Sequence, residues 1–201
     1  TRLPTDAPLV RQIEQQLAIT ASYDGRHAQA PRIYADLLPR LRAGPGWTAP
    51  ETIAARRGYG LLLDERDSFE QAREVYESVQ ADAAKYAPQQ LNQIDWELAD
   101  LYTELNRWDQ AEALLREALA RSREQLGPHH IDYLWQTMFL GDLLNMRGRW
   151  DEAEALFRQD RGELLALVGP LHPKTICAVH YLGQIELERG DATRAMPLLQ
   201  E

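Results

Sequence analysis

Arg149-Trp150-Asp151-Glu152-Ala153-Glu154-Ala155-Leu156 repeats Arg107-Trp108-Asp109-Gln110-Ala111-Glu112-Ala113-Leu114 at a separation of 42 residues. A chain that repeats itself at this interval builds one supersecondary unit several times over, and each copy buries its apolar face against the next. Phe69-Glu70-Gln71-Ala72 and His27-Ala28-Gln29-Ala30 fall in the same column. They place Ala30, Ala72, Ala111, Ala153 and Ala195 at steps of 42, 39, 42 and 42, five units in all.

Independent columns move with these alanines. Twelve residues before each stands a small residue: Ala18, Gly60, Ala99, Gly141 or Gly183. The residue before that is large and apolar in every unit (Leu17, Tyr59, Leu98, Leu140, Leu182), and another large one follows the alanine by four (Tyr34, Tyr76, Leu115, Phe157, Leu199). Five residues before the alanine sits Gly25, Asp67, Asn106, Gly148 or Gly190, types that tolerate positive φ and so end a helix and turn the chain. The unit is therefore two helices joined by a tight turn. Small residues let the pair approach, and large side chains fill the seam. The pattern predicts helices over about 8–23 and 27–42, 50–64 and 69–83, 89–104 and 109–125, 130–146 and 150–167, then 173–188 and 192–201. No strand pattern competes. The expected fold is all-α: an α-α superhelical solenoid of about five helix-turn-helix repeats, near 8–45, 46–87, 88–127, 128–169 and a shortened 170–201, within one domain spanning 1–201. The last repeat holds only the start of its second helix, so Ala195, Leu198 and Leu199 are expected to be poorly covered.

These columns resemble the tetratricopeptide repeat, whose usual period is about 34 residues. The longer period is similar to the kinesin-light-chain type of that family, common in bacterial signalling proteins, where Gly-Pro-x-His-Pro-x-Thr links the units. Gly169-Pro170-Leu171-His172-Pro173-Lys174-Thr175 matches that link in full, Gly127-Pro128-His129-His130 its first half, and Ala87-Pro88 and Gly44-Pro45 are remnants. The resemblance implies a protein- or peptide-binding or sensory module of a larger signalling or regulatory protein, of Ser/Thr kinase or winged-helix type. A structural scaffold or self-association domain is the alternative. An opening Thr1 and an unterminated helical stretch from Ala195 to Glu201 read as an excerpt. One position departs from the family. Seven residues after the alanine a small residue is usual, as Ala118 is, but the fourth unit has Asp160, then Arg161 and Gly162. An acid in the seam and a mid-helix glycine, the latter costing about 1 kcal/mol against alanine, predict an irregularity near 160–162.

Composition works by exclusion. A net charge of −9 with a pI near 5.1 argues against nucleic acid, because no cluster of cations is present to displace phosphate counterions. No apolar run approaches the roughly 18 residues of a membrane span, and no export leader opens the chain, so membrane insertion by this segment is not expected. Cys177 is the single cysteine, which excludes an internal disulfide framework and leaves the compartment open between a bacterial cytoplasm and the periplasmic part of an anchored protein. Of the 22 basic residues only Lys85 and Lys174 are lysine, a bias that fits a GC-rich bacterial genome. His129, His130 and His172 lie at helix starts and read as link residues rather than zinc ligands, which must converge. Cys177 and His180 lack an orienting third group, and Gly44-Pro45-Gly46 lacks the strand and lysine of a phosphate loop. No enzyme, cofactor or metal is expected. Carboxylates in the Asp-x-Ala-Glu runs read as solvated.

The surface that the tetratricopeptide geometry would leave concave carries the candidate site. The first helix of each unit would line it, and the residues there include Tyr23, Arg57, Trp96, Asp100, Trp135, Met138, Asp142, Asn145 and His180. Bulky apolar groups left in water mark interaction surfaces, so Trp96, Trp135, Met138 and Met146 either floor the groove or tilt into the seam between units. Asp64, Glu65, Asp100, Glu104, Asp142 and Glu188 would favour a partner with basic residues. A clamp for a peptide carboxylate, which in some family members uses clustered Lys, Arg and Asn, is missing: Arg57 and Asn145 fall in different units.

Overall fold

A computed structural model describes residues 30–200, with side chains to Leu198. Among the described residues there are nine helices and no strand: α1 (Ala30–Ala43), α2 (Pro50–Asp64), α3 (Phe69–Tyr86), α4 (Pro88–Glu104), α5 (Trp108–Leu126), α6 (Ile131–Met146), α7 (Trp150–Val168), α8 (Pro173–Glu188) and α9 (Ala192–Gln200). The expected helix over 8–23 and Tyr23 lie outside the described residues. The fold class is all-α, of the tetratricopeptide-like solenoid kind, and its packing falls into two compact units, the chain dividing between Arg107 and Trp108. In the first, α1, α3 and α4 pack on α2. In the second, α5, α7 and α8 pack on α6, and α8 in turn receives α9.

The turn column does what its residue types dictate. Asp67, Asn106, Gly148 and Gly190 have φ of 56°, 58°, 72° and 80°. Asp and Asn reach this left-handed region through local side-chain hydrogen bonding, glycine through having no Cβ. After each of them the next N–H (Ser68, Arg107, Arg149, Asp191) donates to a carbonyl five residues back (Leu63, Tyr102, Leu144, Glu186) at 2.7–2.9 Å. That bond closes the first helix and aims the chain into the second.

The small-residue column receives the ring of the following helix. A Cβ on Gly60 would stand 3.1 Å from the Tyr76 ring, and one on Gly141 2.7 Å from Phe157. Phe157 is stacked on its other side by Tyr181, centroids 4.6 Å apart and planes 3° from parallel. In the first unit Tyr34 of α1 meets Tyr59 of α2 at 5.6 Å and packs with Ala30 and Leu62. The Arg56 guanidinium of α2 is buried, held by Asp82, by the Ser78 hydroxyl at 2.7 Å and over the Trp47 ring at 4.5 Å.

The Gly-Pro-x-His-Pro-x-Thr link is a helix stop followed by a helix start. Gly169, with φ 84°, ends α7, and Pro173 occupies the first turn of α8, where its missing N–H costs nothing. His172 caps that helix: its Nδ1 accepts the Lys174 N–H at 3.2 Å. The Thr175 hydroxyl reaches back to the Gly169 carbonyl at 2.9 Å and closes the loop. His130 caps α6 in the same way, accepting from Asp132 N–H at 3.1 Å.

The irregularity expected at 160–162 is not there. α7 runs unbroken from Trp150 to Val168, and Gly162 faces open space. Asp160 is buried, yet the Thr137 hydroxyl of α6 meets its carboxyl, so the acid is satisfied inside the seam rather than expelled from it.

Candidate functional site

In the first unit the facing surfaces of α2 and α4 bring together residues 40 or so apart in sequence. Arg57 Nη1 lies 3.3 Å from Glu97 Oε1, which also accepts from Gln93 Nε2 at 3.3 Å. Two turns further along α2 and one to two along α4 the surface becomes purely acidic. Burial, then repulsion from Asp100 and Glu104, raises the Asp64 carboxyl to about 6. Protein atoms crowding Asp100 and the nearby Glu104 raise that carboxyl as well. Among the described residues no cation pairs with Asp64, Asp100 or Glu104, so this end keeps an unneutralised negative field. Trp96 is half-buried on the same helix as Asp100. A long cationic side chain with an apolar stem fits such a surface.

In the second unit the candidate residues are already engaged. The half-buried Trp135 carries the Lys174 ammonium over one face at 5.4 Å and the Phe139 ring edge-on at 5.8 Å, while Lys174 also pairs with Asp132 at 3.1 Å. Asp142 accepts from the Tyr181 hydroxyl, whose pKa is pushed up to about 12 by burial and then by that carboxylate. Met138 and Asn145 are only 3% and 6% exposed. This corrects the groove assignment for these two: they sit where α6 is covered by the helices packed on it, and a partner would not reach them. His180 is exposed and lies at a pocket of about 410 Å³ between α7, the link, α8 and α9, lined by Arg161, Leu165, Ile176, Val179 and Leu198. Ala195, expected to be poorly covered, is instead fully buried, Leu198 is half-buried at the edge of this pocket, and the Leu199 side chain lies outside the described ones.

Of the carboxylates read as solvated, Asp109 and Asp151 stay exposed but ion-paired, while Glu112 and Glu154 are both paired and mostly buried. Arg147 pairs with Asp109 at 2.7 Å and with Glu112, and 42 residues later Arg189 pairs with Asp151 and with Glu154 at 2.6 Å. Each arginine leaves the end of one first helix and grips the second helix of the repeat before. Burial raises Glu112 and Glu154, but hydrogen bonds from Arg116 and Arg149 to the one, and from Arg189 and Arg158 to the other, outweigh it and hold both below the usual range. The signal was present in the sequence as three columns at the same 42-residue spacing, Arg147/Arg189, Asp109/Asp151 and Glu112/Glu154.

Residues 90–159 match the tetratricopeptide repeat family. No curated protein matches the sequence. Among solved structures, a kinesin-light-chain protein of Podosopora anserina with nearly identical TPR-like repeats is 20% identical, with a TM-score of 0.84 over 99% of this chain and 94% of its own. BtubC (BKLC) from P. vanneervenii is 19% identical, with a TM-score of 0.78 over 96% of this chain and 78% of its own. MamA of AMB-1 is 18% identical, with a TM-score of 0.59 over 93% and 94%. At these identities the likeness is one of fold. Among the described residues no helix is long and apolar enough to cross a membrane.

Proposed function

We propose, from the premise that this chain is a tetratricopeptide repeat protein, that it is a protein-binding module whose recognition surface is the acidic face of α2 and α4 and whose partner presents Lys or Arg. The repeat fold is in general a protein-interaction or scaffold module, and what singles out this face is the convergence of Asp64, Asp100 and Glu104 without a neutralising cation among the described residues. Folded proteins rarely gather like charges unless something else uses them, because each raises the energy of the next. A basic segment would relieve that repulsion, and Arg57 on Glu97 at the other end would set its direction. Trp96, half-buried on α4 four residues before Asp100, adds apolar area for the stems of the incoming side chains. The module acts within a larger regulatory protein in this reading.

A random-peptide library selected on the chain tests this. Winners should be enriched in Lys and Arg, and Asp100→Lys should weaken them at least tenfold while circular dichroism stays helical. Winners without basic residues, or winners indifferent to Asp100→Lys, would remove the acidic face from the account. Self-association, the second reading, would show instead as a molar mass that rises with concentration.

A further inference from the structure

Arg57 of α2 is the cation beside the acidic end of the first unit, and its hold on Glu97 is slight. Nη1 lies 3.3 Å from Glu97 Oε1. A guanidinium carries five N–H donors, yet among the described residues this is the one hydrogen bond that Arg57 makes. Glu97 is fixed from more sides. Gln93 Nε2, one turn back on α4, donates to the same oxygen at 3.3 Å, and the buried Tyr76 hydroxyl of α3 hydrogen-bonds the carboxylate from within the seam. The Tyr76 ring itself is wedged over Gly60, so that donor has no room to shift. Asp100 stands three residues beyond Glu97, on the same side of α4 and about 4.5 Å further along its axis. Arginines in this chain cover such intervals: Arg73 meets both Glu70 and Glu77 along α3. Arg57 nevertheless stays off Asp100. Its charge is felt at Glu97, whereas burial and other carboxylates are what act on Asp64 and Asp100.

We propose that Glu97 keeps the acidic face open: by holding Arg57 it denies Asp64, Asp100 and Glu104 the chain's own cation and leaves them to the Lys or Arg of a partner protein. This rests on the reading of that face as the recognition surface, and within it Glu97 is a positioning residue that touches no ligand. The restraint comes from the carboxylate's surroundings. Were Arg57 to leave, the Glu97 charge would stand partly withdrawn from water without a cation, which is costly. Without the Glu97 charge that cost disappears, and the guanidinium turns one helical turn along α4 to Asp100. Being part of the same chain, it competes there at a high effective concentration against any cation from solution.

The probe is fluorescently labelled tetra-arginine, titrated by anisotropy onto the wild type, Glu97→Gln, Arg57→Gln and the double variant, with circular dichroism checking helical content. Glu97→Gln is expected to weaken binding at least tenfold, Arg57→Gln to tighten it by no more than threefold, and the double variant to bind within threefold of Arg57→Gln. Loss of a charge alone would change affinity by the same factor with and without Arg57, and such additivity would overturn the proposal. A second readout involves no ligand: the titration midpoint of the Asp100 carboxyl, followed by carbon-13 NMR. It should fall when Glu97→Gln is made in the wild type and hold still when it is made in Arg57→Gln; equal movement in the two backgrounds contradicts the account. Should Glu97→Gln lose helical content, Arg57→Gln decides by itself. The Glu97 midpoint should then rise and that of Asp100 stay, whereas an equal rise at both would mean that Arg57 already sits on Asp100. Tetra-arginine that binds none of the four proteins would overturn the acidic face, and the Asp100 midpoint would still tell whether Glu97 holds Arg57 off it.

Discussion

Gly141 and Gly162 stand on adjoining helices and have opposite reasons to be glycine. At 141 an added Cβ would press on the rim of Phe157 at 2.7 Å, and that ring is pinned from behind by Tyr181. Gly141→Ala is therefore expected to destabilise by about 1–3 kcal/mol, the usual cost of overpacking. At 162 nothing stands within 4 Å, so Gly162→Ala should stabilise by about 1 kcal/mol through helix propensity alone. Urea titrations of the two variants check both signs. Asp160 supplies a pH dependence. The Thr137 hydroxyl has one proton and two neighbours, the Leu134 carbonyl at 2.7 Å and the Asp160 carboxyl. With Asp160 protonated both are served; with Asp160 ionised the hydroxyl turns to it and leaves the carbonyl. Burial raises this carboxyl to about 7, the Thr137 hydrogen bond opposing and Glu163 adding to the rise. An unfolded aspartate titrates near 3.9, so from about pH 4 to 7 the native state holds the extra proton and stability falls as pH rises, levelling off above. Asp160→Asn should remove that slope, and its advantage over the wild type should grow across the window. A constant difference between pH 4 and 7 would show that Asp160 titrates normally in the fold.

At the scale of the helix pair, the arginine grips and the histidine caps make the link between repeats specific. Arg147 and Glu112 are each mostly buried at their side chains, and a double-mutant cycle on them should give a coupling of about 0.5–1 kcal/mol that shrinks in high salt. His172→Ala should cost about 1 kcal/mol by losing the cap, and His172→Asn should restore it, since asparagine is a preferred cap. Much at this scale was legible in the residues. The turn column foretold four positive-φ positions because only a few residue types live there, and the small column foretold the seam because a ring needs the space. What was not legible depended on which side chains meet across the repeat interval. The acids of the Asp-x-Ala-Glu runs look solvated along one helix and become ion-paired only when the arginine 35 or 38 residues on is placed beside them. Asp160 likewise looked like a defect until Thr137 stood opposite, although the pair could have been noticed from their shared register.

For the whole molecule, the candidate groove was legible as a row of positions but not as a set of available groups. Periodicity put Trp135, Met138, Asp142 and Asn145 on the row that should be open, yet Lys174, Tyr181 and the packed helices occupy or cover them, and only side-chain lengths in three dimensions decide that. The acidic end of α2 and α4 remains, and its carboxyls carry their own signature. Asp64, raised to about 6, is half-neutral in mildly acid solution and charged at neutral pH, so a cationic partner should bind more weakly below that value. The direct measurement is the affinity of one selected Lys- and Arg-bearing peptide by calorimetry between pH 5 and 8, on the wild type and on Asp64→Asn. Affinity is expected to rise through about pH 6, level off above it, and lose most of that rise in Asp64→Asn; an affinity flat with pH, or a rise unchanged by Asp64→Asn, would contradict recognition by this face.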